Sequence, residues 1–306
     1  MANLRDIRNR IDSVRNTQQV TRAMKMVAAA KLRRAQERMF STRPYAYRLG
    51  EVISRLKDQL DASAHELFRD REGTDGALII VVTADRGLAG AFNSNIIKEA
   101  EQAIARYEGR ERQGDLFVLA VGRKGHDHFS KRGYNLVGDF RGVFDQLEVA
   151  VARAVVKRAV DGYLDGSWDE VSVVYNEFKN TISQNRIVEP FLPIPPAQFL
   201  TPVMEEAAER RVSVDEGRQI DFVFEPAAES ILEGIIPRYL IYQMWRILLE
   251  SNASEQGARM VAMDNATSNA EEFLRELQLR YNRARQSAIT TEIIEIVSGA
   301  NALEGG

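Results

Sequence analysis

The 306-residue sequence predicts an antiparallel coiled coil of its N- and C-terminal helices, with a small Rossmann-like α/β domain between them. Three observations carry that expectation. An apolar spacing of 3.5 residues runs through the first 60 residues, and a weaker one runs through the C-terminal stretch. Between them, β-branched runs of strand length alternate with helical stretches, the pattern of a mostly parallel sheet with helices on its faces. The chain divides on this reading into an N-terminal coiled-coil helix (1–60), a linker and α/β domain (61–226) and a C-terminal coiled-coil helix (227–306).

The first seam reads Leu4, Ile7, Ile11, Val14, Gln18, Thr21, Lys25, Ala28, Leu32, Ala35, Met39, Thr42, Ala46, Leu49, Ile53, Leu56 and Leu60, with Lys25 alone charged. Glycine is absent before Gly50, and Pro44 predicts a local bend rather than an end. At about 1.5 Å per residue such a helix reaches roughly 85 Å, longer than a small domain is wide, so it is expected to project. The second seam runs from Tyr242 through Arg246, Leu249, Ala253, Gln256, Met260, Met263, Thr267, Ala270, Leu274, Leu277, Tyr281 and Ala284 to Ala288, with Gly299 as the stop. Its small residues predict close backbone approach. Two such seams at opposite ends of one chain pair most simply with each other, antiparallel; two separate amphipathic helices on a globular body are the alternative.

In the middle, strands are predicted at Leu78–Thr83, Asp115–Val121, Tyr134–Val137 and Val171–Asn176, with helices near Asn93–Tyr107, Lys124–Lys131 and Leu147–Leu164. Ile187–Pro193 and Ile220–Phe224 read as later edge strands, and 61–76 and 194–219 as connectors.

Composition narrows the chemistry. Without cysteine there are no disulfides, thiolate metal sites or cysteine nucleophiles. The longest aliphatic run, Ala77 to Val82, is far short of the roughly 20 residues of a membrane helix. The N-terminus lacks a secretory apolar region and reads as mature structure in a bacterial-type cytoplasm. Net charge is only −3, but residues 1–60 hold 14 Lys/Arg against five acids, which leaves the remainder at −12. So uneven a distribution suits a basic collar meeting an acidic protein surface better than a nucleic-acid binder, since the acidic remainder would repel a phosphate backbone.

Candidate sites are few. The loop Thr83–Asn93 joins a strand to a helix and carries Gly87 and Gly90, where a phosphate could sit on helix N-terminal amides. It matches neither phosphate-binding glycine motif, and a tight turn with an Asp85–Arg86 pair explains it without a ligand. His126 and His128 flank Asp127, but an i, i+2 pair diverges on a helix and reads as a surface turn; His65 reads as solvated. Glu189, Glu205, Glu206 and Glu209 have no partner at useful spacing and read as solvated carboxylates. No catalytic centre, cofactor site or metal site is expected.

Four runs then point to a family. They are Ile11–Ala29 (IDSVRNTQQVTRAMKMVAA), Glu255–Met263 (EQGARMVAM), Glu276–Gln286 (ELQLRYNRARQ) and Glu295–Ala300 (EIVSGA). With Ile289-Thr290, Ser41–Tyr45 and the Asp85–Leu88 loop, the chain closely resembles the gamma subunits of rotary, proton-driven ATP synthases, essentially end to end. The resemblance implies a non-catalytic central stalk. It implies three alpha and three beta subunits around one such chain, and an epsilon subunit and a membrane c-ring at its foot. The place implied is the cytoplasmic face of the bacterial inner membrane, with no span of its own. Residue by residue, it implies beta-subunit contacts at Met24, Lys25, Arg259, Arg285, Gln286 and Thr290. It implies an apolar bearing tip at Ile289, Ile293, Ile294, Ile296 and Val297, interrupted by Glu292 and Glu295, and a c-ring- and epsilon-facing foot at Phe222, Phe224 and Glu225. Chloroplast members carry a cysteine pair for thiol control, and this sequence has none. A free-standing nucleotide- or phosphate-binding α/β protein with coiled-coil dimerisation arms is the competing reading; a nucleic-acid-binding coiled coil comes third.

Overall fold

The structure, a computed structural model, describes residues 4–59, 65–69, 76–107, 116–195, 199–206 and 228–304. The expected strand Ile220–Phe224 and the foot residues Phe222, Phe224 and Glu225 lie outside them. Helix α1 is Leu4–Gln59, and the last helix, α5, is Ala228–Glu304. Both run through an internal proline, Pro44 and Pro237. Between them come β1 (Ala77–Val82), α2 (Phe92–Ala105), β2 (Leu116–Val121), α3 (Arg123–Lys131), β3 (Asn135–Leu136), α4 (Val149–Leu164), β4 (Glu170–Phe178) and β5 (Gln184–Leu192).

The chain forms two compact units. One joins residues 1–28 to 260–306 and is the coiled coil. Its rungs run in opposite directions. The Gln18 amide donates to Glu271 at 2.9 Å, the Thr21 and Thr267 hydroxyls meet at 2.8 Å, and Lys25 reaches Asp264 at 2.6 Å. The predicted seam positions are the covered ones. Thr21 and Ala28 are buried on α1, and Met263, Thr267, Ala270 and Leu277 on α5. Leu4, Ile7, Ile11, Val14, Leu274, Tyr281, Ala284 and Ala288 are half-buried, as expected where a single partner helix shields one side of a seam.

The second unit, residues 29–259, holds a five-stranded sheet in the order β3-β2-β1-β4-β5. The first four strands are parallel, and β5 returns antiparallel to β4 with Tyr175 opposite Ile187. All six residues of β1 are buried, because a central parallel strand is covered on both faces. On one face Ile79, Val81, Val118 and Val174 pack against Ile96, Ile97, Ala100 and Ile104 of α2 and Phe129 of α3. Alternation along the strands sends Val173 and Tyr175 to the other face, where Tyr175 meets α5. Gly162 in α4 is required by packing: a Cβ there would stand 2.1 Å from the Trp168 ring, whose indole N–H donates to the Ala159 carbonyl at 2.9 Å.

Candidate partner-contact residues and the switch-point loop

In a sheet of this order, ligands enter beyond the strand C-termini where the winding reverses, here between β1 and β4. The Thr83–Asn93 loop lies there, and the chain itself fills it. The Asp85 carboxylate accepts the backbone N–H of Arg123 at 2.9 Å, of Gly142 at 2.7 Å and of Phe144 at 3.0 Å. That places an internal anion on the N-terminus of α3, where amides would otherwise receive an external one. Asn93 accepts the Ala84 N–H at 2.9 Å and donates to the Arg86 carbonyl. The expected Asp85–Arg86 pair does not form, because Asp85 is saturated by backbone donors and Arg86 turns to Asp145 at 2.8 Å. From α5, Ala258 packs on Ala84, Ala89 and Phe92, and Arg259 donates to the Gly87 carbonyl at 2.5 Å while pairing with Glu255. The loop's tip carries Leu88 at φ 64°, with 67% of its surface exposed. A non-glycine residue in that conformation, holding a large apolar side chain out to solvent, was not flagged by the sequence.

Other readings need correction. Glu189 is not solvated: it is 5% exposed, and one guanidinium nitrogen of Arg246, Nη2, donates to both of its oxygens at 2.6 and 2.8 Å. His126 and His128 lie on α3 rather than in a turn. His128 bridges Glu101 at 2.8 Å and Arg132 at 2.9 Å. His65 is half-buried, and its Nδ1 accepts the Leu67 N–H at 3.2 Å to cap a short 3-10 helix, Glu66–Phe68. Glu205 and Glu206 are exposed as expected, with Glu206 on Lys179, and Glu209 is outside the described residues. Among the described residues no group of three or more His, Asp or Glu is placed to hold a metal.

The residues with implied partner roles are spread over both units. In the coiled coil, Met24 and Lys25 are half-buried. The rungs set Leu4 near the turn of α5 around Arg285, so the remainder of α5 runs beyond the start of α1. There Arg285 and Gln286 are exposed, and the Thr290 hydroxyl donates only to its own helix, to the Gln286 carbonyl at 2.9 Å. Ile289, Ile293, Ile294, Ile296 and Val297 are 47–71% exposed.

A family sequence model described as ATP synthase matches residues 3–303. The ATP synthase gamma chain of Salinibacter ruber is 63% identical over 305 residues, covering 99% of each chain; that of Chloroherpeton thalassium is 50% identical with the same coverage. The chain belongs to the ATP synthase gamma chain family. It is accordingly a central-stalk subunit of a rotary ATP synthase. Among solved structures, a chain from the Euglena gracilis mitochondrial ATP synthase aligns with a TM-score of 0.63 at 20% identity, over 99% of this chain and 95% of that one. A chain from the Tetrahymena thermophila central stalk and c-ring aligns with 0.55 at 25% identity, over 81% and 99%. Sequence reasoning missed the buried charges Glu177, Arg246, Glu250 and Glu255 and the half-buried Arg43. Arg246 at a seam position was the available signal, since an arginine where an apolar residue belongs asks for a buried partner.

Proposed function

We propose that the chain is a shaft without catalytic groups of its own. Proton flow turns the c-ring, and the chain carries that rotation to the three beta-subunit sites from the cytoplasmic face of the bacterial inner membrane. One observation carries the reading best: among the described residues, α5 continues past the start of α1 with five large aliphatic residues exposed. A stable soluble chain gains nothing from such a surface, whereas a surrounding sleeve does. Apolar contact is non-directional and nearly equal at every angle, which suits a bearing; ion pairs would favour one angle.

A shaft alters a site's affinity only through contacts that differ between the site's conformations. Arg285, Gln286 and Thr290 supply polar groups at the root of the tip, with Met24, Lys25 and Arg259 as the other partner-facing positions. Lys25 already meets Asp264 and Arg259 is held by Glu255 and Gly87, so each would exchange partners rather than bind from a free state. The foot, at Phe222, Phe224 and Glu225, would meet the c-ring and epsilon.

The test is Arg285→Ala with Gln286→Ala in the assembled complex. ATPase turnover is expected to fall several-fold with subunit composition unchanged. Normal turnover in a normally assembled complex would remove these residues from the torque path.

A further inference from the structure

A shaft must be held as firmly to its own sheet as to its neighbours, and the second unit contains an unusual fastening. Along one face of α5, residues about one turn apart each make a directional contact with the β4–β5 hairpin. Arg246 donates to both Glu189 oxygens on β5 and to the Tyr175 hydroxyl on β4 at 3.0 Å, and it is braced by Gln243 at 3.0 Å. Glu250 accepts the Phe178 N–H at 3.1 Å. The Ser254 hydroxyl donates to the Asn176 carbonyl at 3.1 Å. At Gly257 a Cβ would stand 3.2 Å from the Thr181 carbonyl, so the helix backbone lies directly on the hairpin end. The same node takes in α1: Arg43 forks onto Glu250 at 2.6 and 2.8 Å and donates to the Phe178 carbonyl at 3.3 Å. Arg246, Glu250 and Ser254 are at most 1% exposed.

We propose that this buried polar ladder, centred on Arg246–Glu189 and Arg43–Glu250, is the clamp that passes torque between the sheet domain and both terminal helices. The inference rests on the shaft reading above. Apolar side chains resist separation but not sliding, because the area they bury changes little when one surface shifts over another. The guanidinium contacts are fixed in direction: Arg43 forks onto Glu250 through two nitrogens, and Arg246 aims Nη2 at Glu189, Nη1 at Tyr175 and Nε at Gln243, so separation in a dry interior leaves unpaired charges. Such pairs contribute little net stability against an apolar replacement. Their presence is therefore explained better by resistance to rotation and axial slip than by folding energy. Arg246 and Glu189, with Arg43 and Glu250, are on this account positioning residues for coupling.

The experiment uses the complete ATP synthase in proteoliposomes and measures proton pumping and ATP hydrolysis together. Arg246→Met with Glu189→Leu keeps a filled interior and removes the ion pair. The expected result is ATPase within twofold of the parent and protons pumped per ATP reduced at least threefold. Arg246→Lys, which keeps the charge but cannot reach Glu189, Tyr175 and Gln243 at once, is expected to fall between them and decides the matter if the double variant does not assemble. An unchanged ratio of pumping to hydrolysis in either assembled variant overturns the clamp. Failure of the shaft reading looks different: the unmodified chain would then not co-purify at one copy per three alpha–beta pairs. A merely structural role would lower the yield of complex and leave the ratio per assembled complex intact.

Discussion

Glu177 shows how much a single buried carboxyl can reveal. It is 1% exposed on β4, accepting the Thr201 hydroxyl and the Asn185 amide at 2.9 Å. Burial raises its pKa above the ordinary 4.5, and the two hydrogen bonds only partly offset that. An acid that binds its proton more tightly when folded adds stability that is fully present below its unfolded pKa and is lost as pH rises through the folded value. Between pH 4.5 and neutrality, then, this residue makes the fold less stable with rising pH. Glu177→Gln removes the charge, keeps one oxygen to accept the Asn185 amide, and sets its own NH2 where the Thr201 hydroxyl can turn to accept it. The variant is expected to unfold at pH 7 at no lower temperature than the parent, and its stability should decline less steeply from about pH 5 to about pH 7 in thermal denaturation. A lower midpoint at pH 7 would mean that the ionised form is the one the site stabilises. Arg246 behaves oppositely: burial works against its charge, but Glu189 and Tyr175 more than compensate and its pKa rises well above the usual guanidinium value.

At the scale of elements, what was legible followed from how many sides of a helix are covered. Residues 4–28 and 263–288 each face one partner, so burial recurs every three to four residues and the sequence displays the seam directly. Residues 243–257 of α5, apart from the half-buried Asn252, are buried, at Met244, Trp245, Ile247, Leu248 and Leu249 as well as at Arg246 and Glu250. The seam there no longer separates covered from open positions, and Arg246 at a seam position was the one sign of the polar ladder. The strands were legible because β-branched runs are cut by turn residues. The return of β5 as an antiparallel edge was visible only as a strand, since direction depends on the short Lys179–Ser183 turn. Partner contacts resisted reading because a surface residue's role toward another chain leaves no mark in spacing, so the positions proposed for them rest on the family resemblance. The coiled-coil rungs are themselves modest. Lys25–Asp264 pairs across the seam at 2.6 Å with side chains 41% and 52% exposed. A double-mutant cycle to alanine is expected to give a coupling of about 0.2–1 kcal/mol that fades in molar salt. A larger, salt-insensitive value would show that the pair is shielded from solvent.

For the whole molecule, the question is why so much apolar surface is left at one end. Among the described residues, no helix is long and apolar enough to cross a membrane, and Glu292 and Glu295 interrupt the tip. The tip residues are exposed, and their contribution to the chain's own fold is correspondingly small. Ile293→Ser, Ile296→Ser and Val297→Ser together should therefore change the unfolding free energy of the isolated chain by no more than about 0.5 kcal/mol per site. The same variant should self-associate less, because about 25 cal/mol per Å² of apolar surface no longer seeks cover. In the assembled complex the serines would hydrogen-bond to whatever polar groups line the sleeve, favouring some angles over others. ATPase turnover is then expected to fall even though nothing in the chain's fold has changed. Sedimentation and denaturation of the chain, set beside turnover of the complex, separate the two effects. A destabilised chain would show that the tip packs on the protein itself. An unaltered turnover would show that the sleeve does not depend on apolar contact, leaving the polar residues at the root of the tip to guide rotation.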